Sequence, residues 1–268
     1  MRKRATGPVT ADRKMAAKGQ RIARYTRSYQ EDYTFESVMV SARQRAVLDT
    51  LEALQPGVVV EVGCGVDLLV DRALSADLPF RQWLVVEPSR EFADVARAAK
   101  RSSPAIDVIE AFVEDSIPQI LDACLAPPDL VICSGVLHEV ADPGELLRAM
   151  QQLVATGGGT LHVNVPNANS LHRRLARAMG LIPDEHELTE RNRELEQFRV
   201  YDQAVLRSQV EAAGFRVESA GGYFLKPFTH EQMDSLSFLT QEMLDGLWVL
   251  GDEMPELASE LYVTARSS

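Results

Sequence analysis

The run VVVEV at 58–62 opens directly into the turn Gly63-Cys64-Gly65. A stretch this short and this rich in β-branched residues fits a strand buried on both faces of a parallel sheet. The same unit then recurs with helices between. Residues 68–75 read as helix and 83–87 (WLVVE) as strand. Residues 89–101 read as helix, 106–110 as strand, 116–124 as a short helix and 130–133 as strand. Asp142-Pro143 opens the next helix, with Asp142 as N-cap, Pro143 at the first helical position and Glu145 three residues on. Gly157-Gly158-Gly159 ends that helix, and TLHVNV (160–165) is the next strand. Ahead of them all, residues 36–54 place Val40, Val47, Leu51 and Leu54 at helical spacing, ended by Gln55-Pro56-Gly57. Strands alternating with helices predict an α/β fold, a doubly wound and mostly parallel sheet with helices on both faces.

The rhythm breaks after Val165. Residues 166–200 carry a polar turn, a helix near 170–179 and the charged stretch DEHELTERNRELEQ, with no strand. Asp202 then caps a helix to Ala213, a strand starts at Phe215, and Thr229 with Gln232 opens a further helical region before a final strand at 261–265. Long segments that follow strand ends usually form lids or pocket walls. The reading is one domain, 36–268, whose insertions 166–200 and 222–256 form a cap, preceded by an arm at 1–35.

That arm is basic. Residues 1–28 hold nine Lys and Arg against the single acid Asp12, whereas the rest of the chain holds 19 basic and 38 acidic groups. An acidic body repels phosphate backbones, so no nucleic-acid partner is expected. The arm reads as a removable N-terminus, part of which, with Tyr25, Tyr29 or Tyr33, could fold over a ligand. No apolar run is long enough to span a membrane, and no apolar stretch follows the basic start. The three cysteines, Cys64, Cys124 and Cys133, lack paired spacing, which fits a cytoplasmic protein without a disulfide framework.

Four segments carry ligand chemistry. Glu61-Val62-Gly63-Cys64-Gly65 provides a turn that a ligand can approach closely, ahead of a helix whose amides point back at it. The dinucleotide fingerprint fails because Leu68 stands at the third glycine. Glu87 lies 22 residues after Gly65, where a carboxylate can accept from both ribose hydroxyls. Glu114-Asp115 can accept from an adenine amino group, although an acid there also suits a helix N-cap. Finally, Ser134-Gly135 and His138-Glu139 follow a strand expected beside the first one, where a doubly wound sheet opens its crevice.

In this order the four segments resemble the class I S-adenosylmethionine-dependent methyltransferases. VVVEVGCG resembles the first motif, WLVVEP the ribose motif, VEDS the adenine motif and DLVICSGVLHEVADP the segment after the cofactor; GGGTLHVNVPNANSLHR resembles the fifth strand and its loop. The resemblance covers about residues 40–220. It implies seven strands with the last antiparallel, S-adenosyl-L-methionine as donor and S-adenosyl-L-homocysteine as product. It places Glu61, Gly63, Cys64, Gly65, Glu87, Pro88, Glu114, Asp115, Ser134 and Gly135 around the cofactor. Asp67 stands where the family often has a further glycine and reads as N-cap of the next helix.

A methyl acceptor with a proton to lose needs a base, and histidine suits that near neutral pH. His138 is the first candidate, the alternative being a loop histidine packed on the cofactor's edge; His186, among Asp184, Glu185 and Glu187, is the second, the alternative being a solvated charged turn. His162 alternates with strand neighbours and reads as structural. Glu139, Asn167, Asn169, His172, Tyr223, Lys226 and His230 are candidate acceptor contacts, with Asn164 at the strand end; asparagines here also suit plain turn chemistry. No metal site is expected, since the acids and histidines lack ligand spacing. The expected reaction is methyl transfer to oxygen or nitrogen of a small polar metabolite: a sugar, an amino sugar or a natural-product intermediate. A nucleotide-cofactor oxidoreductase and a non-catalytic cofactor-binding scaffold are the alternatives. A homodimer is left open.

Overall fold

The structure, a computed structural model, describes residues 35–101, 103–195 and 197–268. Almost the whole basic arm, with Tyr25, Tyr29 and Tyr33, lies outside the described residues.

The long first helix, α1 (Glu36–Leu54), stops where Gln55 turns left-handed at φ 46°. It leads into β1 (Val58–Val62), α2 (Leu69–Ser75), β2 (Gln82–Val86), α3 (Arg90–Ala99) and β3 (Ile106–Ile109). Next come α4 (Ile117–Ala123), β4 (Leu130–Ser134), α5 (Pro143–Val154) and β5 (Thr160–Pro166). The remainder is α6 (Leu171–Ala178), α7 (Glu190–Glu194), α8 (Gln203–Ala212), β6 (Phe215–Tyr223), α9 (His230–Asp234), α10 (Gln241–Glu253) and β7 (Glu260–Ser267).

All seven strands join one sheet in the order β3-β2-β1-β4-β5-β7-β6. β1 to β5 run parallel, and β7 lies antiparallel between β5 and β6. The chain steps outward from β1 to β3 and then returns to lay β4 on β1's other side, so the crevice opens between β1 and β4. Every residue of β1 and β2 is buried, as their unbroken apolar runs require. One face packs Leu147, Met150 and Leu153 of α5 and Leu206 and Val210 of α8 against the sheet. The other packs Val47 and Leu51 of α1, Leu69 and Ala73 of α2, and Phe92 and Ala96 of α3.

Asp142 and Asp202 accept from the amides of Glu145 and Val205 as the N-caps of α5 and α8, and Thr229 with Gln232 completes a capping box at α9. Asp67 does not cap α2. The N-cap is Leu68, an extended residue only 6% exposed, and the Asp67 carbonyl instead accepts from Gln44 Nε2 at 2.6 Å. Burying the leucine against the second core outweighs a polar cap. The second irregular segment starts later than its sequence suggests, because β6 runs on to Tyr223. Gly221 and Gly222 pair with Tyr262 and Leu261. They act as strand glycines: a Cβ on Gly222 would meet the Pro255 carbonyl at 2.6 Å.

That segment does two jobs. Its α10 contributes Leu244, Leu247 and Trp248 to a cluster with Phe35, Met39, Tyr223, Phe224 and Met233, and no residue of α10 lines the cavity. Only the stretch around Lys226 to Glu231 lines the cavity. No described helix is long and apolar enough to cross a membrane, and Cys64, Cys124 and Cys133 are free thiols.

Candidate active site

A cavity of about 1260 Å³ opens at the carboxyl ends of the parallel strands. That exceeds the ~300–1,000 Å³ usual for a single small ligand and leaves room for two.

One half is built on β1, β2 and β4. Gly63 (φ 75°) and Gly65 (φ 61°) take left-handed backbone that side chains resist. A Cβ on Gly63 would also meet Val136 Cγ2 at 2.7 Å. Behind the turn, Glu87 Oε2 accepts from Cys64 N at 3.1 Å and Oε1 from Ser89 N at 2.6 Å. Burial raises this carboxyl to about 7 against those two bonds. Glu61, wholly buried in β1, accepts from Trp83 Nε1 at 2.7 Å, and burial pushes it up to about 8. Burial and the two nearby carboxylates also hold the Cys64 thiol well above its ordinary value, so it is not a nucleophile. Pro88, Glu114, Ser134 and Gly135 line the same half; Asp115 does not. Asn164 braces the β4 turn, donating to Ser134 Oγ at 3.1 Å and accepting from Gly135 N at 2.7 Å.

The other half is a buried charge network. Residues 36, 39, 40, 43 and 44 of α1 all line the cavity, the spacing of one helix face. Arg43 bonds Glu260 at 3.0 Å (Nε) and 2.5 Å (Nη2), and Glu36 at 3.3 Å. Tyr223 OH donates to Glu260 Oε2 at 2.5 Å, and His230 Nδ1 lies 3.4 Å from Glu36 Oε2. Burial raises Glu260, but Arg43 and Tyr223 outweigh it and hold the carboxyl below its ordinary value. Sequence reading missed Glu36, Arg43 and Glu260. The available signal was two opposite charges seven residues apart on the apolar stripe of α1.

His138 sits in the short helical turn Leu137–Glu139 after β4 and lines the cavity at 4% exposure. Its Nδ1 has no hydrogen-bond partner among the described residues, and its Nε2 lies 3.6 Å from Glu139 Oε1. Burial, aided by the Arg43 charge, pushes it down to about 3, so it is neutral at working pH. His172 and Lys226 also line the cavity, as do Glu139, Asn167 and His230. Asn167 is committed to the segment before β7, donating to the carbonyls of Glu256 and Ala258.

Besides Asp115 and Asn164, three further candidates fall outside the lining. Asn169 only donates its backbone amide to Asn167 Oδ1. Tyr223 is sealed in β6 behind Glu260. His186 is a surface residue bound to Asp202 Oδ2 at 2.9 Å, because its charged turn folds back on the α8 cap. His162 is structural, bonded to Thr50 Oγ1 at 2.9 Å and stacked on Tyr262. Among the described residues no group of three or more His, Cys, Asp or Glu is placed to hold a metal.

Residues 34–220 match the family model described as a methyltransferase domain. The chain therefore belongs to the methyltransferase-domain family, and its sheet order and glycine crevice are those of the class I S-adenosylmethionine-dependent enzymes. No curated protein matches it. Among solved structures it resembles an S-adenosylmethionine-dependent methyltransferase from Mesorhizobium loti, 18% identical over 84% of this chain and 98% of that one, TM-score 0.56. It also resembles the [4+2]-cyclase SpnF (15%, 84% and 80%, TM-score 0.52) and the CurJ carbon methyltransferase (13%, 88% and 56%, TM-score 0.52). Identities this low speak for the fold alone.

Proposed function

We propose that this protein transfers a methyl group from S-adenosyl-L-methionine to oxygen or nitrogen of a small polar metabolite, such as a sugar, an amino sugar or a natural-product intermediate. The observation that carries the reading is the buried Glu87 carboxylate, fixed by two backbone amides behind the Gly63–Gly65 turn at the crevice. Two bonds leave further lone pairs for ribose hydroxyls, so the residues present fit the donor. The turn's backbone amides suit its amino-acid tail, and Glu114, which lines the cavity, suits the adenine amino group. Bound there, the donor supplies a sulfonium methyl that is already activated.

The remaining chemistry belongs to the chain. The walls from α1 and the 166–200 segment exclude water and hold an acceptor at attack distance. His138, neutral and unpartnered at Nδ1, takes the acceptor's proton; a value near 3 makes it a weak base, and the Glu139 carboxylate 3.6 Å from its Nε2 favours the imidazolium. Since a cyclase shares the fold, methyl transfer itself is the test. Incubation with methyl-labelled donor and a metabolite extract should give a labelled small molecule and S-adenosylhomocysteine. Tight donor binding with no labelled product from any extract would favour the scaffold reading.

A further inference from the structure

Lys226 is only 5% exposed and lines the cavity, yet among the described residues its ammonium makes no hydrogen bond or ion pair. The two carboxylates near enough to act on it are Glu36 and Glu260. Both are already committed, Glu260 to Arg43 and Tyr223, and Glu36 to Arg43 and His230. The stem is buried while the ammonium opens on the cavity, so its donors are available to a partner from outside the chain. On the same cavity wall, and within reach of the Lys226 charge, is His172, whose Nδ1 is buried without a hydrogen bond. Burial, then the Lys226, Arg173 and His230 charges, hold this imidazole far below its ordinary value, so it offers a neutral ring nitrogen next to the cation. Arg173 spends its guanidinium on the carbonyls of Glu185 and Glu187.

We propose that the acceptor carries a carboxylate, and that this group docks on the Lys226 ammonium beside the His172 ring. A monoanion fits better than a phosphate, because a second negative charge would face Glu36 and Glu260. Glu190, Glu194 and Glu231 also border the cavity, but they are exposed and screened by water. The inference rests on the methyltransferase reading, since it assigns this half of the cavity to an acceptor.

The test titrates the full chain, with and without S-adenosylhomocysteine, against a panel of aliphatic and aromatic monocarboxylates. Each acid is paired with its primary amide and primary amine, and inorganic phosphate is added as a separate probe. At least one carboxylate should bind about tenfold or more tighter than its amide. Lys226→Met should bring that ratio near one, and Lys226→Arg should keep it. The acid–amide comparison in the unaltered protein decides the matter even if a variant misfolds. No preferred carboxylate, a preferred amine, tighter binding of phosphate, or a preference that survives in a folded Lys226→Met protein would each overturn the proposal. Failure of S-adenosylhomocysteine to bind would instead count against the methyltransferase reading, and the ligand-free titration still decides the carboxylate.

Discussion

The two halves of the cavity are built on opposite principles. In the donor half the buried carboxylates have partners: Glu61 has Trp83 Nε1, and Glu87 has two backbone amides. Those groups come from two short stretches, 61–65 and 83–89, carried on adjacent parallel strands. The acceptor half is assembled from α1, the turn after β4, α6, the stretch after β6, and β7, with Arg43 and Glu260 meeting across 217 residues. There, the Nδ1 atoms of His138 and His172 are buried without a hydrogen bond, and Lys226 lines the cavity. On the proposed function, one half is preorganised around the donor, and the other holds groups whose partner comes with the acceptor and would set specificity.

The comparison breaks first at His138. If it serves the acceptor and not the donor, His138→Ala should lower S-adenosylhomocysteine formation by about 10²–10⁴ and leave donor affinity unchanged by calorimetry. With a value near 3 the imidazole does not titrate near neutrality, so the free enzyme's pH profile should show no limb from it between pH 5 and 8. A parallel loss of donor binding would move His138 into the other half.

The next effect is on stability. Glu260→Gln leaves Arg43 buried without its main partner and should cost about 3–5 kcal/mol in denaturant unfolding. Glu61→Gln should cost far less near pH 7, because Glu61 is already largely protonated there and an amide has the same shape. The sign of its pH dependence follows. The unfolded chain ionises this carboxyl near 4.5 and the folded chain near 8, so the folded state holds more protons between them. Glu61 thus makes stability fall as pH rises across that window, and Glu61→Gln should flatten the slope. Unequal costs would confirm that the two halves carry charge differently; equal costs would erase the distinction.

The sheet, its order at the crevice, and the donor turn were legible because each rests on local signals. Those are apolar runs of strand length, glycines at one turn, and an acid at the next strand's end. Cap residues at 142, 202 and 229 were legible for the same reason. Asp67 was not, because a buried leucine competed with it. Tyr223 was misplaced because Gly221-Gly222 has the composition of a turn and the packing of a strand. The Arg43 network was invisible because no local rule pairs α1 with the last strand. His186 shows the converse: a histidine among acids reads as a tuned base or as part of a solvated charged turn, and it folds onto the surface.

The smallest expected effect lies there. His186→Ala should change stability by no more than about 0.5 kcal/mol and leave turnover intact. A clear loss of activity would extend the acceptor half to a surface it does not touch.

The account depends most on Glu87 as the donor's anchor. Calorimetric titration of S-adenosylhomocysteine into the unaltered protein and into Glu87→Ala tests that directly. Removing charge-assisted bonds worth roughly 1.5–3 kcal/mol should weaken binding by about tenfold to a hundredfold. Because burial sets this carboxyl near 7, affinity in the unaltered protein should rise from pH 6 to 8 as it ionises, while the variant stays flat. Equal affinity in the two proteins across that range would contradict the assignment.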